Sequence, residues 1–243
     1  MARKKEVQYT LLMDGLQIQV VQKSMKSVRF TVYPPDGRIR VAAPLHLSRN
    51  QVRGYVDGRL PWIHKQKEII ARIPAEPRLA YTQGEQHEYL GRRVRLDFTG
   101  PVSAAGQQWS GLVDGNRLLV PVSPDLDEGQ RKAAVERIYR TTLRDFMKDR
   151  ISHWERIMSV KVHAFGVRKM KTLWGSCNIR AKRVWLNLDL AKRKKECIES
   201  ILVHEMVHLK ERLHNARFYA FMDQYLPDWK EREKELRGRS GRY

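Results

Sequence analysis

His204-Glu205-Met206-Val207-His208 lies in a run of apolar residues spaced three and four apart, a pattern that predicts an amphipathic helix. Four residues along a helix amount to one turn plus about 40°, so the two imidazoles stand on one face and can share a tetrahedral metal ion. Glu205 is rotated by about 100° from His204, which keeps its carboxylate off the ion but within reach of a metal-bound water. The spacing therefore predicts a zinc site with Glu205 as general base. A helix that carries two histidines by coincidence is the alternative, but it would bury unpaired imidazoles at a high desolvation cost.

A third ligand should come from beyond this helix, because catalytic zinc usually takes three protein groups and leaves the fourth position to water. His214 is the best candidate. On a continued helix it would lie about 9 Å from His208 and be turned by about 240°, so the chain has to break and turn back. Asn215 can cap a new helix at that point. Five further histidines are expected to be ordinary ones: His46, His64, His87, His153 and His163.

The first 125 residues are predicted to be mainly strands, because short β-branched and aromatic runs alternate with polar residues and are separated by turn dipeptides such as Asp14-Gly15. We expect an antiparallel sheet to open the protein, followed by a helix that starts at Ser48 and ends near Arg72, with Pro61 either kinking or restarting it. The predicted strands are Val7 to Met13, Leu16 to Gln22, Val28 to Tyr33, Arg38 to Ala43, Glu85 to Leu90, Arg92 to Phe98, Gln108 to Val113 and Arg117 to Val122.

Helical periodicity dominates residues 126–243, where a long helix is predicted from Glu128 to Trp154. Further helices are predicted around His204, from Phe218 to Tyr225 and from Asp228 onwards. Tyr219 and Tyr225 could polarise a scissile carbonyl, but aromatic residues at helical spacing are more often part of the core. Three short strands should form a small sheet: His163 to Arg168, Leu173 to Cys177 and Arg183 to Asn187. The predicted fold class is α+β, with an N-terminal antiparallel β-rich part (1–125) and a helical catalytic part with a short sheet (126–243); one continuous domain remains an alternative.

The formal charge of +20, from 47 Lys and Arg against 27 Asp and Glu, should attract polyanions. The stretch Ser159 to Lys195 holds eleven basic residues and one acid, and it leads directly into the helix of His204. Nucleic acid or nucleotides are therefore candidate partners, although a strong charge also simply keeps a protein soluble. No apolar run is long enough for a membrane span, and the two cysteines, Cys177 and Cys197, lack metal-site spacing. A cytoplasmic location is expected.

Four ordered motifs resemble the YgjP-like metallopeptidases, relatives of the SprT-like and WLM zincins. They are Leu173-Trp174-Gly175-Ser176-Cys177, Val184-Trp185-Leu186-Asn187, the cluster His204 to His214, and Pro227-Asp228-Trp229. The resemblance covers residues 20 to 236 and implies a zincin-like catalytic part in which three histidines hold one zinc ion and Glu205 is catalytic. Asn215 stands where this family commonly has serine, and Phe218 is retained. Metzincins place a glycine midway between the last two histidines, whereas this chain has Glu211, which disfavours that assignment.

The segment Trp174 to Cys177 has two interpretations. It could be a strand along which an extended substrate binds, or a tight turn whose buried Trp174 supports the metal helix, and the turn is favoured.

The sequence thus predicts a zinc-dependent hydrolase, most simply a metallopeptidase acting on peptides or proteins through metal-activated water and Glu205. One alternative is a metal-dependent nucleoside triphosphate diphosphatase that uses Arg168 to Lys171 or Lys192 to Lys195, with the help of a second divalent ion. Another is a DNA-associated protein that docks through its basic surface. A purely structural metal module ranks last, because it has no need of Glu205. Substrate, loaded metal and oligomeric state stay open.

Overall fold

The computed structural model describes residues 6–33, 36–72, 78–100 and 113–239. Strands and helices are both abundant, which confirms the predicted α+β class. Within the described residues the chain divides into two compact units, one in residues 6–72 and one in residues 78–237. Each has a hydrophobic core of its own.

The first unit is a four-stranded sheet covered by two helices. Its strands are β1 (Val7–Met13), β2 (Leu16–Lys23), β3 (Arg29–Tyr33) and β4 (Arg38–Pro44), in the order β1-β2-β4-β3. The two hairpins are antiparallel as predicted, but β2 and β4 pair in parallel, so the expectation of an antiparallel sheet is corrected. Apolar alternation is the same for both strand directions, and it therefore could not reveal this pairing.

The helical segment after β4 is two helices, α1 (Arg49–Asp57) and α2 (Leu60–Ala71), so of the two expected effects of Pro61 the structure has the restart. Ser48 caps α1 in the predicted capping box with Gln51. Pro61 lies in the first turn of α2, where its missing N–H is not needed for a helical hydrogen bond. The proline thus begins a new helix, one of its two expected effects. Both helices bury apolar side chains against the sheet.

The second unit begins with a small mixed sheet of β5 (Gln86–Tyr89), β6 (Arg92–Phe98), β7 (Val113–Asp114) and β8 (Arg117–Val120), in the order β5-β6-β8-β7. The predicted strand Gln108 to Val113 lies, apart from its last residue, outside the described residues. Helix α3 (Glu128–Met158) continues four residues beyond the predicted end. The compositional change near residue 125 coincides with the start of α3. The two compact units divide elsewhere, at 76/77, because the small sheet shares a hydrophobic core with the helices that follow it. The predicted domain boundary itself stays a prediction.

A three-stranded sheet and three helices position the candidate site. The sheet consists of β9 (Ala164–Arg168), β10 (Gly175–Asn178) and β11 (Arg183–Asn187), in the order β10-β11-β9, so β10 is an edge strand. The chain then forms a 3-10 turn (Leu188–Lys192) and helices α4 (Lys195–Val207), α5 (Ala216–Tyr225) and α6 (Trp229–Arg239). Helix α4 contacts β10 and β11, with Leu202, Val203 and Met206 fully buried. Among the described helices, none has the length and apolar character needed to cross a bilayer.

Candidate metal centre

The last turn of α4 carries the first two predicted ligands. His204 lies within the helix and His208 is its C-cap, with helical backbone angles that keep the two side chains on one face. Their ring centroids are 5.1 Å apart. The Nδ1 atom of His208 lies 3.1 Å from the backbone carbonyl of Glu211, which can only accept a hydrogen bond. This contact places the imidazole proton on Nδ1 and leaves the Nε2 lone pair of His208 available for a metal.

His214 comes back to these two residues across a short break in the helical chain. The chain turns between α4 and α5, and Asn215 caps α5 by accepting a hydrogen bond from the backbone N–H of Phe218 at 3.0 Å. This capping role is the one predicted for Asn215. The Nε2 atoms of His214 and His204 lie 3.0 Å apart.

The three imidazoles fit one metal ion. One ring nitrogen from each of His204, His208 and His214 lies within 4.8 Å of the other two. Nitrogen ligands at about 2.0–2.1 Å from a tetrahedral zinc ion are roughly 3.3 Å from one another, a separation between the 3.0 Å of His204 and His214 and the 4.8 Å limit, so small side-chain adjustments satisfy zinc. Within the described residues, no other group of histidine, cysteine and carboxylate side chains comes together in this way.

Phe218 forms an apolar base beneath the histidines. It is completely buried, and its ring centroid lies 4.9, 4.8 and 4.6 Å from those of His204, His208 and His214. Contact with the same rigid ring on one side restricts the rotation of all three imidazoles. Phe218 thus sets the orientation of the ligand set.

Glu205 is buried against the start of β10. Only 6% of the residue is exposed, and no described residue donates a hydrogen bond to its carboxylate. A side chain at Gly175 would place its Cβ 2.6 Å from Oε1 and 2.7 Å from Cγ of Glu205, closer than van der Waals contact allows. Glycine at position 175 is therefore required for the carboxylate to lie between α4 and the sheet.

Comparisons with known proteins show the family of the chain. A family model described as YgjP-like, metallopeptidase domain, matches residues 26–239. The chain belongs to the YgjP-like metallopeptidase family. The crystal structure of the metallopeptidase zymogen of Pyrococcus abyssi abylysin matches at 20% identity and a TM-score of 0.36, over 41% of this chain and 96% of that one. A comparison with curated proteins gave no match. Family membership confirms the resemblance drawn from the four motifs and supports a metallopeptidase-type hydrolase with a catalytic metal.

The electrostatics of the YgjP-like site follow from its burial. Desolvation, with the neighbouring imidazoles of His208 and His214, lowers the pKa of His204 to about 3. Desolvation also lowers the pKa of His208. Both imidazoles are therefore neutral at pH 7, the form that binds metal. Burial raises the pKa of Glu205 to about 8, which makes its carboxylate a stronger proton acceptor than an exposed one.

Asn187 fixes the loop that leads to β10. Its side chain is fully buried, and the amide nitrogen donates to the carbonyls of Met170 (2.9 Å) and Leu173 (2.8 Å). The amide oxygen accepts from the backbone N–H groups of Met170 and Asp189, both at 3.3 Å. Trp174, next along the loop, is buried. These bonds hold Gly175 against Glu205, and they explain the motif that ends in Asn187.

The rim of the YgjP-like site carries exposed apolar side chains. Leu173 is 47% exposed, Leu213 is 63% exposed and Tyr219 is 42% exposed. The Tyr219 ring stacks 6.5 Å from that of His214. The sequence favoured a core position for Tyr219, because aromatic residues at helical spacing are usually buried. Its exposed position follows from the contact with His214, which the sequence pattern does not reveal.

The structure brings together the four site residues that the sequence predicted: His204, Glu205, His208 and His214. Sequence reasoning missed the supporting roles of Gly175, Asn187 and Phe218, although Gly175 and Asn187 lie in the motifs that carry the family resemblance and Phe218 is retained beside them. None of the five other histidines belongs to the metal-binding group found among the described residues; His64 contacts Asp14 and His87 contacts Glu85, for example.

Proposed function

We propose that this protein is a zinc-dependent peptidase in which His204, His208 and His214 hold one zinc ion and Glu205 is the general base. The observation that supports it most is the convergence of three imidazoles beside a buried carboxylate. A structural zinc site usually has four protein ligands, whereas three histidines leave room for water and substrate. We expect the protein to act in the cytoplasm.

Strand β10 offers a place for an extended peptide. It pairs with β11 on one side, and its other side is an edge of the sheet. Extended peptides commonly bind by adding a strand to such an edge, where backbone hydrogen bonds supply affinity. Because Gly175, the first residue of β10, touches Glu205, a peptide bond held along this edge would lie beside the carboxylate. The edge position favours the substrate-strand interpretation of the segment Trp174 to Cys177, in addition to its support of α4.

The chemistry expected of the site divides between the ion and the protein. Bound zinc would supply Lewis-acid polarisation of the scissile carbonyl and of water. Glu205 would accept the proton of the attacking water and pass it to the leaving amine nitrogen. The apolar rim of Leu173, Leu213 and Tyr219 would contact an apolar substrate side chain, a group that peptides carry and nucleoside triphosphates lack.

Phosphoanhydride hydrolysis is the alternative enzymatic function. Arg168 and Lys171 are exposed cations on the elements that precede β10, as a nucleotide site would require. A second divalent ion would need carboxylate ligands, and the described residues form one metal-binding cluster, made of histidines alone. This difference favours the peptidase. Docking onto DNA through the basic surface stays a prediction, which a steep salt dependence of DNA binding would support.

Metal analysis and turnover assays test the proposal together. We expect purified protein to hold one zinc ion, and alanine at His204, His208 or His214 to remove it. Glu205→Gln should keep the zinc and lose at least about 100-fold in kcat on unfolded protein substrates. Hydrolysis of nucleoside triphosphates without cleavage of any peptide would decide for the diphosphatase. Loss of zinc in Glu205→Gln would refute the role of Glu205.

A further inference from the structure

The basic stretch between Ser159 and Lys195 separates in the structure into paired and unpaired cations. Five of its eleven basic residues contact a carboxylate: Lys161, Lys169, Lys192, Arg193 and Lys194. The other six have no carboxylate within ion-pair distance in the described ranges; they are Arg168, Lys171, Arg180, Lys182, Arg183 and Lys195. Five of these six lie on β9, on β11 or in the loops next to β10. The uncompensated charge is therefore concentrated at the sheet beside the metal centre.

Arg168 is the unpaired cation that neutral groups hold in place. Its Nη2 donates to Ser176 Oγ at 3.0 Å, and its guanidinium carbon lies 5.3 Å from the centre of the Trp185 ring. Trp185 is itself fixed, because its ring lies directly on Gly166, where a Cβ would come within 2.5 Å of the ring. A surface arginine normally loses side-chain entropy when it is held in one position. Here that position is set without a counterion, which leaves the charge of Arg168 available to an anion.

The hydrogen-bonding pattern of β10 determines which residue of a strand added at its edge would lie beside Arg168. Asn187 donates its backbone N–H to the carbonyl of Trp174, and hydrogen-bonded pairs alternate along an antiparallel ladder. Gly175 and Cys177 therefore direct their backbone N–H and C=O groups away from β11, towards the free edge. An antiparallel peptide would hydrogen-bond to these two residues. Its residue opposite Ser176 would then belong to a non-hydrogen-bonded pair, in which side chains are closest.

Side chains of the added strand would alternate between the two faces of the sheet. The residue opposite Gly175 would share its face with Glu205, and the residue opposite Ser176 would share its face with Arg168. The added strand would lie about 4.8 Å from β10, and the Arg168 guanidinium already reaches Ser176 on β10. A carboxylate side chain opposite Ser176 is thus long enough to contact Arg168.

We propose that Arg168, held by Ser176 and Trp185, recognises an acidic side chain of the peptide substrate bound along β10. This specificity rests on the proposed peptidase function and adds a charge preference to it. Because successive side chains of an extended peptide point to opposite faces of the sheet, the acidic residue would occupy one fixed position relative to the cleaved bond.

A matched set of peptides and variants tests this recognition. Peptides that differ only in Glu or Gln at each position near the cleaved bond are compared by kcat/KM with zinc-loaded protein. An exposed ion pair is worth up to about 1 kcal/mol, so we expect about a fivefold preference for Glu at one position. Arg168→Gln should abolish this preference, Arg168→Lys should retain part of it, and 0.5 M salt should weaken it.

Lys169→Gln is the control variant, because it removes the same charge from the neighbouring residue, whose ammonium is already paired with Glu136 at 2.6 Å. It should leave the preference for Glu unchanged. Peptide affinity is also measured with Glu205→Gln, since binding does not depend on turnover. Equal kcat/KM for both peptides, or a preference that survives in Arg168→Gln, would overturn the role of Arg168 and leave the peptidase proposal intact. If no peptide is cleaved, the proposed peptidase function is refuted. Recognition by Arg168 is then tested by binding alone: unequal binding of the Glu and Gln peptides would support it, and equal binding would refute it.

Discussion

Replacing Gly175 by alanine should disable the site while leaving its metal in place. The added Cβ would lie 2.6 Å from Glu205 Oε1, and an ordinary contact begins at 3.4 Å, so the carboxylate or β10 has to move by about 0.8 Å. Glu205 is buried between α4 and the sheet and has little room to move. Overpacking of this size costs roughly 1–3 kcal/mol of stability, and a displacement near 1 Å at a catalytic group costs roughly 100-fold in rate. The three histidines lie outside the contact and should still bind zinc.

The assay compares Gly175→Ala with Gly166→Ala. Alanine at Gly166 would bring its Cβ within 2.5 Å of the Trp185 ring, which is a similar clash on the opposite face of the same sheet. Both variants should lose stability in thermal unfolding and retain one zinc ion. Only Gly175→Ala should lose about 100-fold in kcat. Wild-type kcat in Gly175→Ala, or an equal loss in Gly166→Ala, would refute the conclusion that Gly175 positions the general base.

Three further predictions concern the residues that support the site. Phe218→Ala should cost roughly 3–5 kcal/mol in chemical unfolding and weaken zinc affinity, because the three imidazoles lose their common contact; unchanged zinc affinity would contradict this role. Asn187→Ala should cost about 1–3 kcal/mol and lower kcat, since the loop before β10 loses three hydrogen bonds and Asp189 a fourth, and hydrogen exchange at the Met170 amide should rise. In metal-free protein, burial raises the pKa of Glu205 to about 8, so the folded state keeps a proton that the unfolded state has released, and stability falls with rising pH up to that value. Between pH 6.5 and 8 the loss should be about 2 kcal/mol in denaturant titrations, and Glu205→Gln should remove it; the same slope in both proteins would show that another group titrates.

Short-range patterns in the sequence predicted most of the elements correctly. The hairpin of β1 and β2, the capping box at Ser48, the long helix from Glu128 and the cap at Asn215 all depend on residues a few positions apart. The same holds for the pair His204 and His208, whose spacing within one helix brings them together. Local spacing is sufficient here because a helix or a hairpin relates neighbouring residues by fixed geometry.

Long-range contacts were beyond the sequence. The parallel pairing of β2 with β4 depends on where β3 lies in the sheet, and alternation of apolar residues gives no information on that. The contact of Gly175 with Glu205 joins residues thirty positions apart. In a sequence, a glycine at the start of a strand indicates a turn, and nothing nearby indicates that it makes room for a carboxylate. Phe218 was read as a core residue with helical spacing. Its position under three imidazoles follows only once His214 has turned back.

The three histidines proposed as metal ligands come from two helices separated by a break, which links metal binding to the maturation of the protein. Two of the imidazoles are on α4, and the third arrives with the cap of α5, so the three nitrogens meet only when both helices are packed. A newly synthesised chain would hold zinc by two ligands at most until α5 docks. Tight metal uptake would then report completed folding, and hydrolytic activity would stay absent from partly folded chains.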